Sequence, residues 1–151
     1  MHFTTSKPYP EWFERLRERK FTNDTVFANP HMEVLKRRLL QYGGYGVVLA
    51  LPEPHLNEIL SRGYIADGKS TILLDGEPSR CHENAYRFWA SQRVTNIDLL
   101  LCTGWALSDD GLWRQHSWVR YPEGEVIYET TVERVAYFGF DLTEMEARTF
   151  V

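Results

Sequence analysis

The chain has 151 residues, 43% of them hydrophobic and 25% charged, with a formal net charge of -4. That is the length and balance of one globular domain able to bury a core without disulfides, and it excludes a disordered tail. The negative balance gives no reason to expect nucleic acid as a partner.

Two cysteines, Cys81 and Cys102, are too few for a disulfide framework, so a reducing compartment is expected. The first eleven residues hold no apolar stretch of signal-peptide type, and no apolar run is long enough for a membrane span. A cytoplasmic protein without membrane contact is the expectation. Local basic runs at Arg15, Arg17, Arg19 and Lys20, and at Lys36, Arg37 and Arg38, read as solvated helix faces.

In chain order, the first 63 residues of a single domain spanning 1–151 read as mainly helical. A helix is expected over Pro10–Lys20, where Trp12, Phe13 and Leu16 share a face. A second runs over His31–Tyr42, with Met32, Leu35, Leu39 and Leu40 as its apolar stripe and Gly43-Gly44 as its stop. The apolar run Tyr45–Leu51 predicts a strand, and Pro52–Arg62 a third helix that ends at Gly63.

Residues 64–151 change character. Ile72–Leu74 is a short apolar piece, and Asp75-Gly76-Glu77-Pro78 is a loop that leads into a helix from Ser79–Cys81 to about Ser91. Ile97–Leu107 is a nearly continuous apolar run, as expected of a strand covered on both faces. Asp110-Gly111 and Glu123-Gly124 are two-residue hairpin signals, which make Leu112–Arg120 and Glu125–Val132 the second and third strands of an antiparallel meander. The expected class is α+β: helices first, then a helix packed on a sheet of at least three strands.

Cys81 opens its helix, where unpaired backbone N–H groups and the helix dipole favour an anion. A thiolate there is a nucleophile, and the same N–H groups can hold an oxyanion. The plainer reading is a small buried hydrophobe. His116 lies mid-strand between Trp113 and Trp118, and alternation puts Arg114, His116 and Trp118 on one face. It can equally be a hydrogen-bonded core residue.

A two-residue turn at Glu123-Gly124 makes paired residue numbers sum to 247, so His116 faces Thr131 and Trp118 faces Glu129. Glu129 is then one diagonal step from His116, where a carboxylate can accept the second imidazole N–H and fix the tautomer. Pairing with Arg114 or Arg120 is its alternative role. The same arithmetic at Asp110-Gly111 sums to 221, placing Trp105 opposite His116 and Thr103 opposite Trp118, with Cys102 on the other face. In that register Cys81, His82, Cys102 and His116 do not converge as zinc ligands. His2, His31 and His55 have no metal-like spacing, and no metal or cofactor is expected.

The order Cys81, then His116 after 35 positions, then Glu129 after 13 more resembles the papain-like and transglutaminase-like cysteine enzymes. In those the nucleophile starts a core helix, and its histidine and an Asp, Asn or Glu follow on successive strands. The resemblance covers about 76–139 and implies a nucleophile-bearing helix on an antiparallel sheet. It also implies the roles of nucleophile for Cys81, base for His116 and orienting group for Glu129, with Thr131 as the alternative orienter.

Two departures stand out. The third residue is Glu where Asp or Asn is usual, and the papain-type Gln before the nucleophile is absent. Asn84 and Gln115 are then the candidate oxyanion donors beside the Cys81 N–H, while Trp105 and Trp118 are expected to shield the ion pair from water or to wall a slot for a substrate side chain. His82 is expected to be structural or at a substrate edge, and Tyr137-Phe138-Gly139-Phe140 to be packing.

The leading expectation is a thiol hydrolase or acyltransferase acting on a peptide, a protein or a small amide or acyl compound. The competing ones are a catalytically silent binding or immunity-type module on the same fold, and a small metal-binding protein.

Overall fold

Asn29 opens the first described helix, α1 (Pro30–Tyr42), by accepting a hydrogen bond from the His31 N–H at 2.9 Å, with Pro30 in the first turn where a missing N–H costs nothing. Met32, Leu35 and Leu39 form its buried stripe. The structure, a computed structural model, describes residues 29–49, 51–95 and 98–150. The helix expected over 10–20 and the basic run beginning at Arg15 lie outside those residues.

After α1 come β1 (Gly46–Val47), α2 (Leu56–Arg62), β2 (Tyr64–Asp67), β3 (Thr71–Leu73), α3 (Cys81–Gln92), β4 (Leu100–Leu107), β5 (Leu112–Tyr121), β6 (Val126–Glu129), β7 (Ala136–Asp141) and α4 (Glu144–Arg148). The strand expected over 45–51 shrinks to β1. The helix expected from Pro52 begins at Leu56, because Leu51 and Glu53 each precede a proline and are pushed away from helical backbone. Instead, the Glu53 carboxylate accepts the His55 N–H at 2.9 Å.

The seven strands form one mainly antiparallel sheet in the order β2-β7-β4-β5-β6-β3, with β1 beside β5. The α+β expectation holds at that level, and the sheet is larger than the three-stranded meander read from the hairpins. β7 returns to pair with β4, and β3 adds to β6 in parallel. β7 contains the Tyr137-Phe138-Gly139-Phe140 run expected to be packing, and α4 falls in residues for which no element was expected.

The register of β5 and β6 is as expected: Val119, Arg120 and Tyr121 pair with Tyr128, Ile127 and Val126, each summing to 247. The register of β4 and β5 is not. Gly104 pairs with His116, Cys102 with Trp118 and Trp105 with Gln115, summing to 220. The loop holds three residues, Asp109 to Gly111, because Ser108 and Leu112 still pair and Gly111 takes up a left-handed φ of 88°. One residue of slip reverses both expectations for that strand. Cys102 shares the His116 face, and Trp105 lies on the opposite one.

Those two faces have different roles. One carries Leu101, Trp105, Leu107, Trp113, Val119, Phe138 and Phe140, packed with the buried residues of α1, α2, α3 and α4 into the main core. The other carries Cys102, Ala106, Trp118, Ile127 and Tyr137 as a smaller cluster.

β5 is where the faces communicate. On the side away from β4, β1 pairs only with Leu112 and Trp113, and β6 only with Val119 to Tyr121. Among the described residues no strand pairs with that edge around His116, and the start of α3 meets β5 there.

Candidate active site

Helix α3 begins at Cys81, two residues after Ser79, which has a left-handed φ of 60°. Its cap position, Arg80, supplies no side-chain hydrogen bond, so the first backbone N–H groups of the helix are left without a side-chain acceptor around the sulfur. The first intrahelical bond, from Asn84 N–H to Arg80 C=O, spans 2.9 Å.

Cys81 lines one cleft with His116, and the imidazoles of His116 and His82 both act to lower its pKa. Burial by itself pushes the thiol up, yet the two imidazoles overcome it and hold Cys81 down at about 5. For His116, burial opposes the charged ring, while the contacts with Cys81 and Glu129 raise its pKa above the ordinary 6.5. Both shifts run in the direction that favours a thiolate beside an imidazolium.

The other ring nitrogen of His116, Nε2, lies 2.7 Å from Glu129 Oε1, with the two side chains 1% and 0% exposed. A carboxylate can only accept, so Nε2 carries the hydrogen and Nδ1 is the nitrogen that serves the thiol. A buried pair of this kind needs additional hydrogen bonds to offset desolvation. Glu129 has them. Tyr137 donates its hydroxyl to Oε1 at 2.9 Å, and Thr131 donates both its N–H and its hydroxyl to Oε2 at 2.9 and 3.0 Å.

Arg134 adds a guanidinium whose Nε is 3.8 Å from Oε1, and its own side chain is tied to Ser108 and Thr131. Burial would raise the Glu129 carboxyl, but His116 and these donors bring it to about 2. Trp118 and Tyr137 flank the imidazole, their ring centroids 6.1 and 6.2 Å from it.

Cys81, His116 and Glu129 are thus brought together. Thr131 holds Glu129 and not His116. Gln115 lines the same open cleft of about 480 Å³ as Cys81, His116, Thr131, Arg114 and Arg134. Two other candidates are placed elsewhere. Asn84 uses its amide to pin the preceding loop, donating to Glu77 C=O at 2.8 Å and accepting Glu77 N–H at 3.2 Å, and it faces a neighbouring depression.

Trp105 is fully buried in the main core, on the far side of the sheet from His116, because of the one-residue slip. Trp118 is on the imidazole face but only 3% exposed, so it covers the ring and does not wall an open slot. Cys102 is buried, donates to Asp141 Oδ1 at 3.1 Å, and burial pushes its thiol well up. Among the described residues no three His, Cys, Asp or Glu side chains are grouped to hold a metal ion. Nor is any helix among them long and apolar enough to cross a membrane.

Two contributors escaped the sequence reading. Tyr137 was legible in principle, since strand alternation in Ala136–Asp141 sets it opposite to Phe138 and Phe140. Arg134 sits in the connection before β7, where no periodicity points to it. His82, expected to be structural or at a substrate edge, has its Nδ1 2.5 Å from Ser117 Oγ.

Comparison of the chain with family models, with curated proteins and with solved structures returned no match.

Proposed function

We propose that the chain is a thiol-dependent hydrolase or acyltransferase acting on an amide or acyl bond. The observation that carries this reading is the buried His116 to Glu129 pair at 2.7 Å, with Cys81 lining the same cleft as His116. In the reaction the Cys81 thiolate attacks the acyl carbon. His116, as imidazolium, gives its proton to the departing amine or alkoxide, and a thioester remains on Cys81. Glu129 keeps the ring in the tautomer and orientation this requires.

The developing oxyanion falls to the Cys81 N–H at the uncapped start of α3, with Gln115 as the side-chain donor in the same cleft. A protein, a peptide or a small acyl compound fits an opening of this size.

The test is alkylation by iodoacetamide as a function of pH, read at each cysteine by peptide mass. Cys81 is expected to react with a midpoint near 5, far below the free-thiol value of about 8.5. Cys102 is expected to stay unlabelled in the folded protein. Equally slow labelling at both cysteines would instead support a silent binding module.

A further inference from the structure

Among the described residues, the cleft that holds Cys81 and His116 is lined by two guanidiniums, Arg114 and Arg134, and by no carboxylate. That is a local reversal of sign in a chain whose formal net charge is -4. The carboxylates that pair with these arginines, Asp110 and Glu129, do not line the opening. Each arginine thus reaches the cleft while its acid does not.

The two differ in what they can offer a ligand. Arg134 is only 8% exposed, and it donates through Nη1 to Ser108 Oγ at 2.7 Å and through Nη2 to Thr131 Oγ1 at 3.1 Å. Its Nε is buried without a hydrogen-bond acceptor among the described residues. Arg134 is therefore a positive charge fixed in the wall of the cleft.

Arg114 is 38% exposed and within reach of a ligand. It donates from Nη1 and Nη2 to the two oxygens of Asp110 at 3.2 and 2.8 Å, which leaves its other N–H groups for a further acceptor. Asp110 is itself held in the turn between β4 and β5, where Oδ1 accepts the Leu112 N–H at 3.0 Å. A guanidinium already tethered loses less side-chain freedom when it takes a second anion, and its planar fork matches a carboxylate.

Strand geometry sets how far this charge lies from the chemistry. Arg114 and His116 are two positions apart on β5, so they project from one face with a spacing of about 7 Å along the strand. An anion on Arg114 is then a few bonds from a carbonyl that His116 serves.

We propose that the cleft selects substrates carrying a carboxylate close to the scissile bond, and that Arg114 is the residue that recognises it. The inference rests on the acyl-transfer reading above and names the substrate class for that site. The substrate carboxylate accepts from the free N–H groups of Arg114, and Arg134 adds its charge without changing partners.

The experiment first compares two alkylating reagents of the same chemistry and different charge. Cys81 of the full chain is labelled with iodoacetate and with iodoacetamide at neutral pH and low ionic strength, each rate is read by peptide mass, and the urea-unfolded chain gives the reference ratio. Folded wild type is expected to favour iodoacetate at least about tenfold more than the unfolded chain does, and added salt to reduce that preference. Arg114→Gln is expected to remove at least about fivefold of it, while Arg114→Lys keeps part, since the charge stays and the fork is lost. An equal preference in wild type and Arg114→Gln would overturn the role of Arg114 and assign the attraction to the His116 imidazolium.

Turnover separates this inference from the reading beneath it. Glutaryl p-nitroanilide and its uncharged counterpart, valeryl p-nitroanilide, are compared by kcat/KM. Wild type is expected to favour the glutaryl compound at least about tenfold, largely through KM, and Arg114→Gln to lose that ratio. Cys81-dependent cleavage of both compounds with equal kcat/KM would keep the thiol hydrolase and overturn its anionic specificity. Absence of Cys81-dependent release from either compound, with the iodoacetate preference intact, would count against the acyl-transfer reading and leave Arg114 as the residue that recognises an anion.

Discussion

His116 and Glu129, thirteen residues apart in the chain, meet with Nε2 2.7 Å from Oε1, their side chains 1% and 0% exposed. The carboxyl titrates near 2 in the folded protein against an ordinary 4.5, so acid protonates the unfolded chain first. Its contribution to stability is complete above about pH 4.5 and is lost as pH falls toward 2. His116, raised above 6.5, works the other way: its contribution is complete below 6.5 and lost as pH rises through the folded value.

Denaturant unfolding of Glu129→Gln across a pH series is expected to show a flattened profile between pH 4.5 and 2. At neutral pH it should show a loss of about 3 kcal/mol, since a buried partner is left uncompensated. Turnover should fall by at least about 100-fold, because an amide can present the wrong group to the ring. An unchanged acid limb would mean that Glu129 is not the carboxylate that governs it.

Tyr137→Phe and Thr131→Val each delete one hydroxyl donor to Glu129 while leaving the His116 contact in place. Each should cost about 1 to 2 kcal/mol and raise the pH at which the acid limb ends, since the folded carboxyl then lies closer to its ordinary value. Turnover should drop less than about tenfold in either. Because both act on one carboxylate, the double variant should depart from additivity, which a double-mutant cycle on unfolding measures directly. Strict additivity would indicate that the two hydroxyls do not share Glu129.

Cys102→Ala should leave turnover intact and lower stability by about 1 kcal/mol, since it removes a small buried group and its bond to Asp141. A folded Cys102→Ala protein that had lost activity would reverse the assignment of the two thiols.

Gly139→Ala tests the wall behind the imidazole. A methyl group at that position would lie 2.3 Å from the Thr103 carbonyl and 2.7 Å from the Trp118 ring. The indole that stacks on His116 then has to move. The expected cost is about 3 kcal/mol, with a lowered His116 to Cys81 coupling seen as a higher alkylation midpoint at Cys81. Retention of both stability and midpoint would mean that Trp118 does not hold the ring.

Local chemistry was enough for some of this. The stripe in α1, the start of α3 at Cys81 and the β5–β6 register follow from helix period and one turn, and that register carries Glu129 to the His116 side. Where a single residue of loop length decides the outcome, local chemistry failed. Asp110-Gly111 reads as a two-residue turn, but the pairing of Ser108 with Leu112 makes it three, and so Trp105 and Cys102 exchange faces.

Tertiary structure alone decided the rest. β7 inserts beside β4 and brings Tyr137 to a carboxylate eight positions away, and Arg134 arrives with it. The incomplete edge of β5 admits the end of α3, so that adjacent residues Cys81 and His82 serve opposite faces of one sheet. No periodicity along the chain encodes that relation, because it arises only where three separate strands leave a space.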